Sequence, residues 1–475
     1  MHSLWPDSDV RLAVQCRLAA RLSATSEGLA DGPVSPTLDG RATRDALAKF
    51  DFQTPMALDD ALDNILALLE GGIVHTAHPL YFGLFNPAAN FPGILADHIT
   101  AALNPQLAAT SHAPIAVEIE RHMVSRIGML CGWLADDVFG HFTSGGAEAN
   151  YTAVIVALTK IAPDFATHGA RALSGSPRLY VSAESHLAWI KIAHQCGIGR
   201  GAVRLVATDG SGRMDVDALA TTIAEDRAHG DLPFFIGATA GTTNAGMPDP
   251  VDRCRAIASR EGLWLHVDAA WGGAGLLTPR ARPALAGIET ADSITIDAHK
   301  WFSVPMGAGI FLTRERRALA ATFAVSTDYM PAASDTTDDP YSHSIQWSRR
   351  FIGLKLFLAM ATLGLDGYRA VIERSLDLAS ELRSMLAEAG WRIVNDSPFA
   401  VLCFTRDGVD VERVAARIVK SGKAWLSTAK FEGQVVLRAC ITSHFTRSED
   451  IRALVDHLEA ARLADAAPPS DAQRG

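Results

Sequence analysis

Two apolar segments end in residues that can do covalent and acid–base chemistry. Residues 293–302 begin as a β-branched run that leads to the pair His299-Lys300, and residues 263–270 begin as an apolar run that leads to Asp268. If both are strands of one sheet, Lys300 and Asp268 lie at the same edge. An amine beside a carboxylate is what pyridoxal phosphate requires, because the lysine forms a Schiff base and the acid binds the pyridine nitrogen. A lysine after a strand is weak evidence alone, since most lysines are solvated.

A glycine-rich turn stands where a helix is predicted to begin. Gly145 and Gly146 precede the helical segment 151–160. A helix start exposes backbone N–H groups and the positive end of the helix dipole, and both features suit a phosphate group. A tight turn of small residues accounts for the same sequence equally well, so this motif alone leaves both interpretations open.

Two further segments carry polar side chains at the ends of apolar runs. Residues 234–244 run into a Gly-Thr-Thr turn that contains Thr243, and His186 follows the apolar segment 178–182. Open α/β sheets bind ligands at the carboxyl ends of their strands. Threonine is ordinary in turns, and a lone histidine is more often structural than catalytic. These residues therefore only add support to the lysine–carboxylate pair.

The central part of the chain alternates short apolar runs with helical segments. This pattern is typical of a mainly parallel sheet with helices on both faces, because strands buried on both sides are apolar throughout. The strand candidates are 178–182, 202–207, 234–238, 263–267, 294–296 and 309–313. The sequence therefore predicts an α/β fold whose strand ends bring the polar residues together.

Three segments flank that large domain, which is predicted at 76–365. Residues 1–75 are helix-like but too few to bury both of their faces, which predicts an N-terminal helical arm that wraps around a second subunit. Residues 366–463 are predicted to form a small C-terminal α+β domain, and 464–475 a disordered tail. The candidate elements of the small domain are strands 391–394, 400–404 and 435–441 and helices 411–420 and 448–463.

Composition indicates a cytoplasmic globular enzyme. A formal net charge of −10 and the lack of a basic tract argue against a nucleic-acid partner, and no apolar run is long enough to cross a membrane. The N-terminus lacks the basic and apolar order of a signal peptide. The six cysteines are widely separated, which predicts reduced thiols. His75, His78 and His98 lack the spacing of a metal site, so no metal is expected.

Taken in order, these motifs resemble those of the group II pyridoxal phosphate-dependent decarboxylases, the family of the aromatic-amino-acid, histidine and glutamate decarboxylases. The resemblance covers residues 10–460 and includes the segments His78–Pro87 and Leu437–Thr442. It implies a fold-type I, transferase-like architecture with a seven-stranded sheet. It also implies a homodimer with its active sites at the subunit interface and pyridoxal 5′-phosphate as the cofactor.

The resemblance further implies roles for single residues. Lys300 matches the Schiff-base lysine, Asp268 the carboxylate at the pyridine nitrogen, and His186 the histidine stacked on the cofactor ring. Tyr329 matches the tyrosine of a mobile loop that returns a proton to the substrate carbon while excluding water. The other cofactor-binding matches are Gly145, Gly146, Ala147, Thr243, Ala270 and His299.

The substrate region departs from that of the animal aromatic decarboxylases at three positions. Gln106, Ser348 and Trp271 stand where those enzymes have other residues. Aromatic L-amino acids remain the favoured substrates, decarboxylated to the amine and CO₂, because several aromatic side chains can form the pocket walls. Those aromatic residues are Phe85, Trp271, Trp301 and Trp347. Phe85, Gln106 and Ser348 are the predicted substrate contacts.

Three alternatives stay open at this point. The first is an acidic or diamino-acid decarboxylase. The second is an enzyme that consumes oxygen after decarboxylation and releases an aldehyde. The third is a cofactor-binding protein without catalysis, which the intact set of Lys300, Asp268, His186 and Tyr329 disfavours.

Overall fold

The computed structural model describes residues 4–37, 39–325 and 339–466. Within these ranges the helices are α1 (Ser8–Gly28), α2 (Gly40–Leu47), α3 (Leu58–Gly72), α4 (Phe91–Leu103), α5 (Pro114–Leu130), α6 (Gly146–Ile161), α7 (Phe165–His168), α8 (Ala188–Gln195), α9 (Val216–Ala228), α10 (Val251–Glu261), α11 (Arg316–Phe323), α12 (Gly353–Glu388), α13 (Val411–Ser421) and α14 (Ser448–Ala466). The strands are β1 (Phe139–Thr143), β2 (Pro177–Ser182), β3 (Val203–Val206), β4 (Leu232–Thr239), β5 (Trp264–Asp268), β6 (Ser293–Asp297), β7 (Gly309–Thr313), β8 (Arg392–Ile393), β9 (Val401–Thr405), β10 (Ser427–Phe431) and β11 (Gln434–Cys440).

The large sheet has seven strands in the order β1-β7-β6-β5-β4-β2-β3. All neighbouring pairs from β6 to β3 are parallel, and β7 runs antiparallel to both β6 and β1. The predicted mainly parallel seven-stranded sheet is confirmed, and each of the six strand candidates of this region is a strand. Strand β1 was not predicted, because Gly140 and His141 interrupt its apolar pattern. Gly140 is needed there, since an added Cβ would lie 2.0 Å from the carbonyl oxygen of Phe311 on β7.

Alternate residues along the central strands point to opposite faces of the sheet. On β4, Ile236 belongs to the core cluster that includes residues of α5, α10 and α12, whereas Phe235 belongs to the cluster with α6 and α8. Each face is therefore covered by helices, as predicted for strands that are apolar throughout. This double cover leaves the strand ends as the part of the sheet where polar groups gather.

The C-terminal part of the chain forms a second sheet with the order β10-β11-β9-β8, and all of its strand pairs are antiparallel. Strand β10 was not predicted, because its sequence alternates exposed polar residues with half-buried ones. Helix α12 crosses the predicted boundary between the domains at residue 365. Its backbone leaves the helical conformation at the neighbouring Gly364, where φ is 66°.

The N-terminal helices lie on the surface of the described chain. None of the residues of α1, α2 and α3 is buried, and all three helices lie fully within the described ranges. The segment between α1 and α2 contacts the C-terminal region, where Val34 donates its backbone N–H to Gly422 and the Ser35 hydroxyl donates to Val419. The helical character predicted for residues 1–75 is present, and the wrapping of a partner stays a prediction.

None of the helices within the described ranges is long and apolar enough to cross a bilayer.

A buried ion pair fastens the start of α12 to α5. Arg349 Nη2 lies 2.7 Å from Glu120 Oε2, with side-chain exposures of 1% and 7%. The other oxygen of Glu120 accepts the backbone N–H groups of Ile352 and Gly353 at 3.1 and 2.9 Å. Burial raises the pKa of Glu120, and the guanidinium of Arg349 opposes that shift. Removing one partner would leave an uncompensated buried charge.

We predict that Glu120→Gln lowers the free energy of unfolding by about 3–5 kcal/mol, because the Arg349 charge then stays buried without its counter-ion. The matched control is Glu118→Gln on the same helix, which removes the exposed pair with Arg121 and should cost less than about 1 kcal/mol. Urea unfolding followed by tryptophan fluorescence measures both. Equal losses for the two variants would contradict the importance of the buried pair.

Candidate functional site

Three strand ends and one helix start surround a cavity of about 140 Å³. Strand β4 ends at Thr239, β5 at Asp268 and β6 at Asp297, and all three residues line the cavity together with Gly146 at the start of α6. The carboxyl ends of parallel strands meet at one edge of a sheet, and helix N-termini open towards the same edge. The cavity therefore lies where α/β sheets bind their ligands.

Lys300 reaches this cavity from the turn that follows β6. Its Nζ lies 3.1 Å from Asp297 Oδ2 and 5.8 Å from the centroid of the Phe85 ring. The other oxygen of Asp297, Oδ1, is buried and has no hydrogen-bond partner among the described residues. Asp297 thus holds the amine in the cavity and keeps one oxygen for a further donor.

Asp268 places a carboxylate opposite this amine. The residue is 6% exposed, its Oδ2 accepts from Asn150 Nδ2 at 2.8 Å, and its Oδ1 accepts from the backbone N–H of Ala270 at 3.1 Å. A negative charge at this position can pair with a protonated ring nitrogen.

The helix start suits a phosphate because two glycines bring the backbone close to the cavity. An added Cβ at Gly146 would lie 2.9 Å from Asp297 Oδ2, and one at Gly145 would lie 3.4 Å from His299 Cε1. Helix α6 begins at Gly146, before the predicted segment 151–160, so its first N–H groups face the cavity wall. Together with the following Ala147, these groups can bind an anion.

His186 and Thr243 also line the cavity. His186 Nδ1 accepts the backbone N–H of Ala188 at 3.1 Å. The residue is exposed in this single chain, and desolvation lowers the pKa of its imidazole more than the nearby Asp268 raises it. This direction favours the neutral form of the ring.

A stack of aromatic rings forms another wall. Phe85 stacks on Trp271 with 4.2 Å between ring centroids, and Trp271 stacks on Trp301 with 4.6 Å. Phe85 and Trp271 line the cavity, whereas Trp301 lies behind Trp271. Trp347 lies away from this wall, with its ring 5.2 Å from that of Tyr341. Two of the four aromatic residues predicted to form pocket walls therefore do so within this chain.

A buried arginine supports the aromatic wall from behind. The guanidinium carbon of Arg438 lies 4.7 Å from the centroid of the Phe85 ring. Its nitrogens donate to the carbonyl oxygens of Gly83 and Asn244, both at 3.0 Å. One further nitrogen, Nη2, is buried without a hydrogen-bond partner among the described residues. A positive charge with unused donor capacity thus lies directly behind the cavity.

The structure brings most of the predicted site residues together. All of the predicted cofactor residues line the cavity except Gly145 and His299, which lie directly behind its wall. Gln106 and Ser348 are exposed and do not line the cavity of their own chain; the Gln106 side chain instead accepts the backbone N–H of Arg349 at 2.8 Å. Tyr329 lies outside the described residues. The roles of all these residues stay predictions.

Three residues of the site were missed by the sequence analysis. Asn150 lies one helical turn after Gly146, and Asp297 ends the strand that precedes Lys300, so the helical spacing and the strand-end position were the signals that could have found them. Arg438 lies in the small domain, and no sequence pattern around it indicates its contact with Phe85.

Comparison with known proteins finds a matching family model and relatives that are amino acid decarboxylases. The model of the pyridoxal-dependent decarboxylase conserved domain matches residues 45–406. The acidic amino acid decarboxylase GADL1 of Bos taurus is 30% identical over 411 residues, which cover 81% of this chain and 78% of that protein. The aromatic-L-amino-acid decarboxylase of Bacillus atrophaeus is 27% identical over 443 residues, 90% of each protein.

Solved structures show the same fold. The crystal structure of mouse CSAD has a TM-score of 0.87 and 25% identity, and the match covers 95% of this chain and 99% of that one. Oryza sativa TDC, solved with PLP and tryptamine, has a TM-score of 0.91 and 21% identity over 98% of this chain and 100% of that one. At 21% identity, the likeness to Oryza sativa TDC shows the fold alone.

The glycine at the helix start gives a direct test of the cavity. We predict that Gly146→Ala weakens the binding of pyridoxal phosphate by roughly 10- to 100-fold, because overpacking at Asp297 displaces the helix start. Gly201→Ala is the control, since an added Cβ there meets no atom within 4 Å. Equilibrium dialysis with the cofactor measures both variants. Unchanged affinity in Gly146→Ala would place the phosphate elsewhere.

Proposed function

We propose a specific reaction for this chain, which belongs to the pyridoxal-dependent decarboxylase family and is a pyridoxal phosphate-dependent carboxy-lyase. It removes the α-carboxyl group of an aromatic L-amino acid and releases the amine. The observation that carries the proposal is the meeting of Lys300, Asp268 and the helix start at Gly146 in one cavity. These are the groups needed to hold the aldehyde carbon, the ring nitrogen and the phosphate of the cofactor.

Each of these groups has a defined task. When bound, the cofactor accepts the electron pair that is left as CO₂ departs. Lys300 would hold it covalently, because its Nζ is the cavity's amine and Asp297 keeps it in place. Asp268 would keep a proton on the ring nitrogen, since an opposite charge favours the charged form. The backbone at Gly146 and Ala147 would bind the phosphate.

The described cavity wall supports an aromatic substrate. Phe85 and Trp271 line the cavity with apolar ring atoms, and an aromatic substrate ring in contact with them would gain about 0.5–1.5 kcal/mol beyond the burial of its area. Among the described residues that line the cavity, Lys300 is the one lysine or arginine. Once Lys300 is bound to the cofactor, this part of the wall offers no cation for a carboxylate on the substrate side chain.

An acidic substrate is the second candidate, and Arg438 is the observation that favours it. This buried arginine lies behind Phe85 with an unused Nη2. A substrate carboxylate that displaced Phe85 would find a counter-ion there. The 30% identity to the acidic amino acid decarboxylase of Bos taurus agrees with this candidate.

A decarboxylation screen separates the two candidates. We expect CO₂ release from Phe, Tyr or Trp with kcat/KM at least about tenfold above that for Asp, Glu or cysteine sulfinate, because each 1.4 kcal/mol of differential binding is worth tenfold. Amine, aldehyde and oxygen uptake are measured together, which distinguishes decarboxylation from the oxygen-consuming alternative. Release of CO₂ from acidic substrates alone would refute the aromatic proposal.

The product of the same reaction depends on where the proton comes from. The sequence predicts Tyr329 as its donor, and the proposed amine product rests on that prediction. If the unaltered protein released an aldehyde and consumed oxygen, the aldehyde-forming alternative would replace the proposed amine product.

We predict that Lys300 carries the cofactor. Borohydride reduction of the purified yellow protein followed by peptide mapping should place the label on Lys300, because its amine lies in the cavity. Lys355 is the internal control, since its amine is also buried, burial lowers its pKa, and it lies against Asp97 rather than in the cavity. A label on any lysine other than Lys300 would overturn the assignment.

We also propose that the protein is a homodimer whose active sites lie at the subunit interface. Helices α1 to α3 bury none of their residues in one chain. Helix α4 leaves large apolar side chains in solvent, and exposed apolar faces of this kind mark contact surfaces. The exposed apolar residues of α4 are Phe91, Ile94, Leu95, Ile99 and Leu103.

The dimer can be measured directly. Light scattering should give about twice the 50.7 kDa of one chain. Removal of residues 1–70 should give insoluble or cofactor-free protein, because the surface that the arm covers in the partner is then exposed. A stable, active monomer after that deletion would contradict the proposal.

A further inference from the structure

Four consecutive hydrogen bonds lead through the core of the large domain to Asp268. Trp264 Nε1 lies 2.8 Å from Ser293 Oγ, and Ser293 Oγ lies 2.8 Å from His266 Nδ1. His266 Nε2 lies 3.0 Å from Asn150 Oδ1, and Asn150 Nδ2 lies 2.8 Å from Asp268 Oδ2. All five residues are buried. We call Trp264, Ser293, His266 and Asn150 the relay.

The two ends of the relay fix its direction, because the Asp268 carboxylate only accepts and therefore takes the NH₂ group of Asn150, which leaves Asn150 Oδ1 to accept from His266 Nε2. An indole nitrogen only donates, so Trp264 makes Ser293 Oγ an acceptor, and the single hydroxyl proton of Ser293 is available for His266 Nδ1. The imidazole proton then sits on Nε2 and is donated to Asn150 Oδ1. The amide group of Asn150 is thereby oriented with its NH₂ towards Asp268. A flipped amide would turn its oxygen towards the carboxylate.

The surroundings of His266 hold the ring in this state. Burial lowers the pKa of His266 to about 4, so the imidazole is neutral at physiological pH and has one donor and one acceptor nitrogen. The Phe235 ring stacks on it with 5.8 Å between centroids, and the Trp189 ring packs edge-on at the same distance. The only other polar contact of this imidazole in the described chain is the longer one to Thr295 Oγ1, at 3.3 Å.

We propose that Asn150 is a positioning residue for the reaction, and that His266 and Ser293 orient it so that the Asp268 carboxylate faces the ring nitrogen of the cofactor in one fixed plane. This inference rests on the proposed function. Asn150 lies one turn after Gly146 on α6, so the same helix contacts both the proposed phosphate site and the carboxylate. Through Asn150, the relay is joined by helix α6 to the proposed phosphate site, so one rigid helix links the two ends of the cofactor site.

Ser293 gives the sharpest test, because it does not line the cavity and acts only through His266 and Asn150. Ser293→Ala should raise the dissociation constant of pyridoxal phosphate and lower kcat, each by about tenfold, with KM nearly unchanged. It should also shift the pH dependence of the bound cofactor's absorbance. Ser293→Thr keeps the hydroxyl and should restore all three properties.

Two further variants make the outcome unambiguous. Asn150→Ala should reproduce the absorbance shift, so the relay remains testable if Ser293→Ala is unstable. Thr152→Val is the control, because it removes a buried hydroxyl from the same helix whose hydrogen-bond acceptor in the described part of the chain is the carbonyl of Glu148. Thermal melting shows which variants are folded.

The relay is refuted if folded Ser293→Ala and Asn150→Ala behave like Thr152→Val in cofactor affinity and in the absorbance curve. Failure of the proposed function gives a different result. If the proposed function fails, the unaltered protein carries no borohydride label on Lys300. If the relay alone fails, that label stays in place.

Discussion

A carboxylate that is buried at the end of a central strand must be paired or hydrogen-bonded, and Asp268 meets this requirement in a way that shapes the whole site. Asn150 from α6 and the backbone of Ala270 each supply one donor. The remaining capacity of the carboxylate faces the cavity that also contains Lys300. The carboxylate is therefore held in place by the protein before any ligand binds, and it offers the complement of a protonated ring nitrogen.

The fold keeps these groups in place through rigid neighbours. Strands β4 and β6 flank β5, so Thr239 and Thr295 are the register partners of Asp268. The small domain supports the opposite side, because Asn395, Ser397 and Arg438 donate to the carbonyl oxygens of residues 244–246, next to Thr243. The cavity thus depends on both sheets, and a shift of the small domain would move the turn that carries Thr243.

Much of this arrangement follows from local sequence patterns. The strands that lead to Asp268 and Lys300 carry no charged residue before their ends and are buried along their whole length, and a side chain placed at or after the end of such a strand must lie at the sheet edge. Asn150 and Arg438 were missed because their partners are distant in the sequence. The substrate contacts stay predictions, since Trp301 and Trp347 do not line the cavity of one chain and Gln106 and Ser348 lie away from it. Those contacts depend on packing beyond the strand pattern.

The pairing of Asp268 with the ring nitrogen is the central claim, and the ¹⁵N chemical shift of that nitrogen tests it most directly. The protein is loaded with pyridoxal phosphate that carries ¹⁵N in the ring, and its spectrum is recorded from pH 6 to 9 beside that of Asp268→Asn. We predict a protonated nitrogen throughout this range in the unaltered protein and its loss in the variant, because an opposite charge within hydrogen-bond reach favours the charged form. An unprotonated nitrogen in the unaltered protein, or the same shift in both proteins, would contradict the claim.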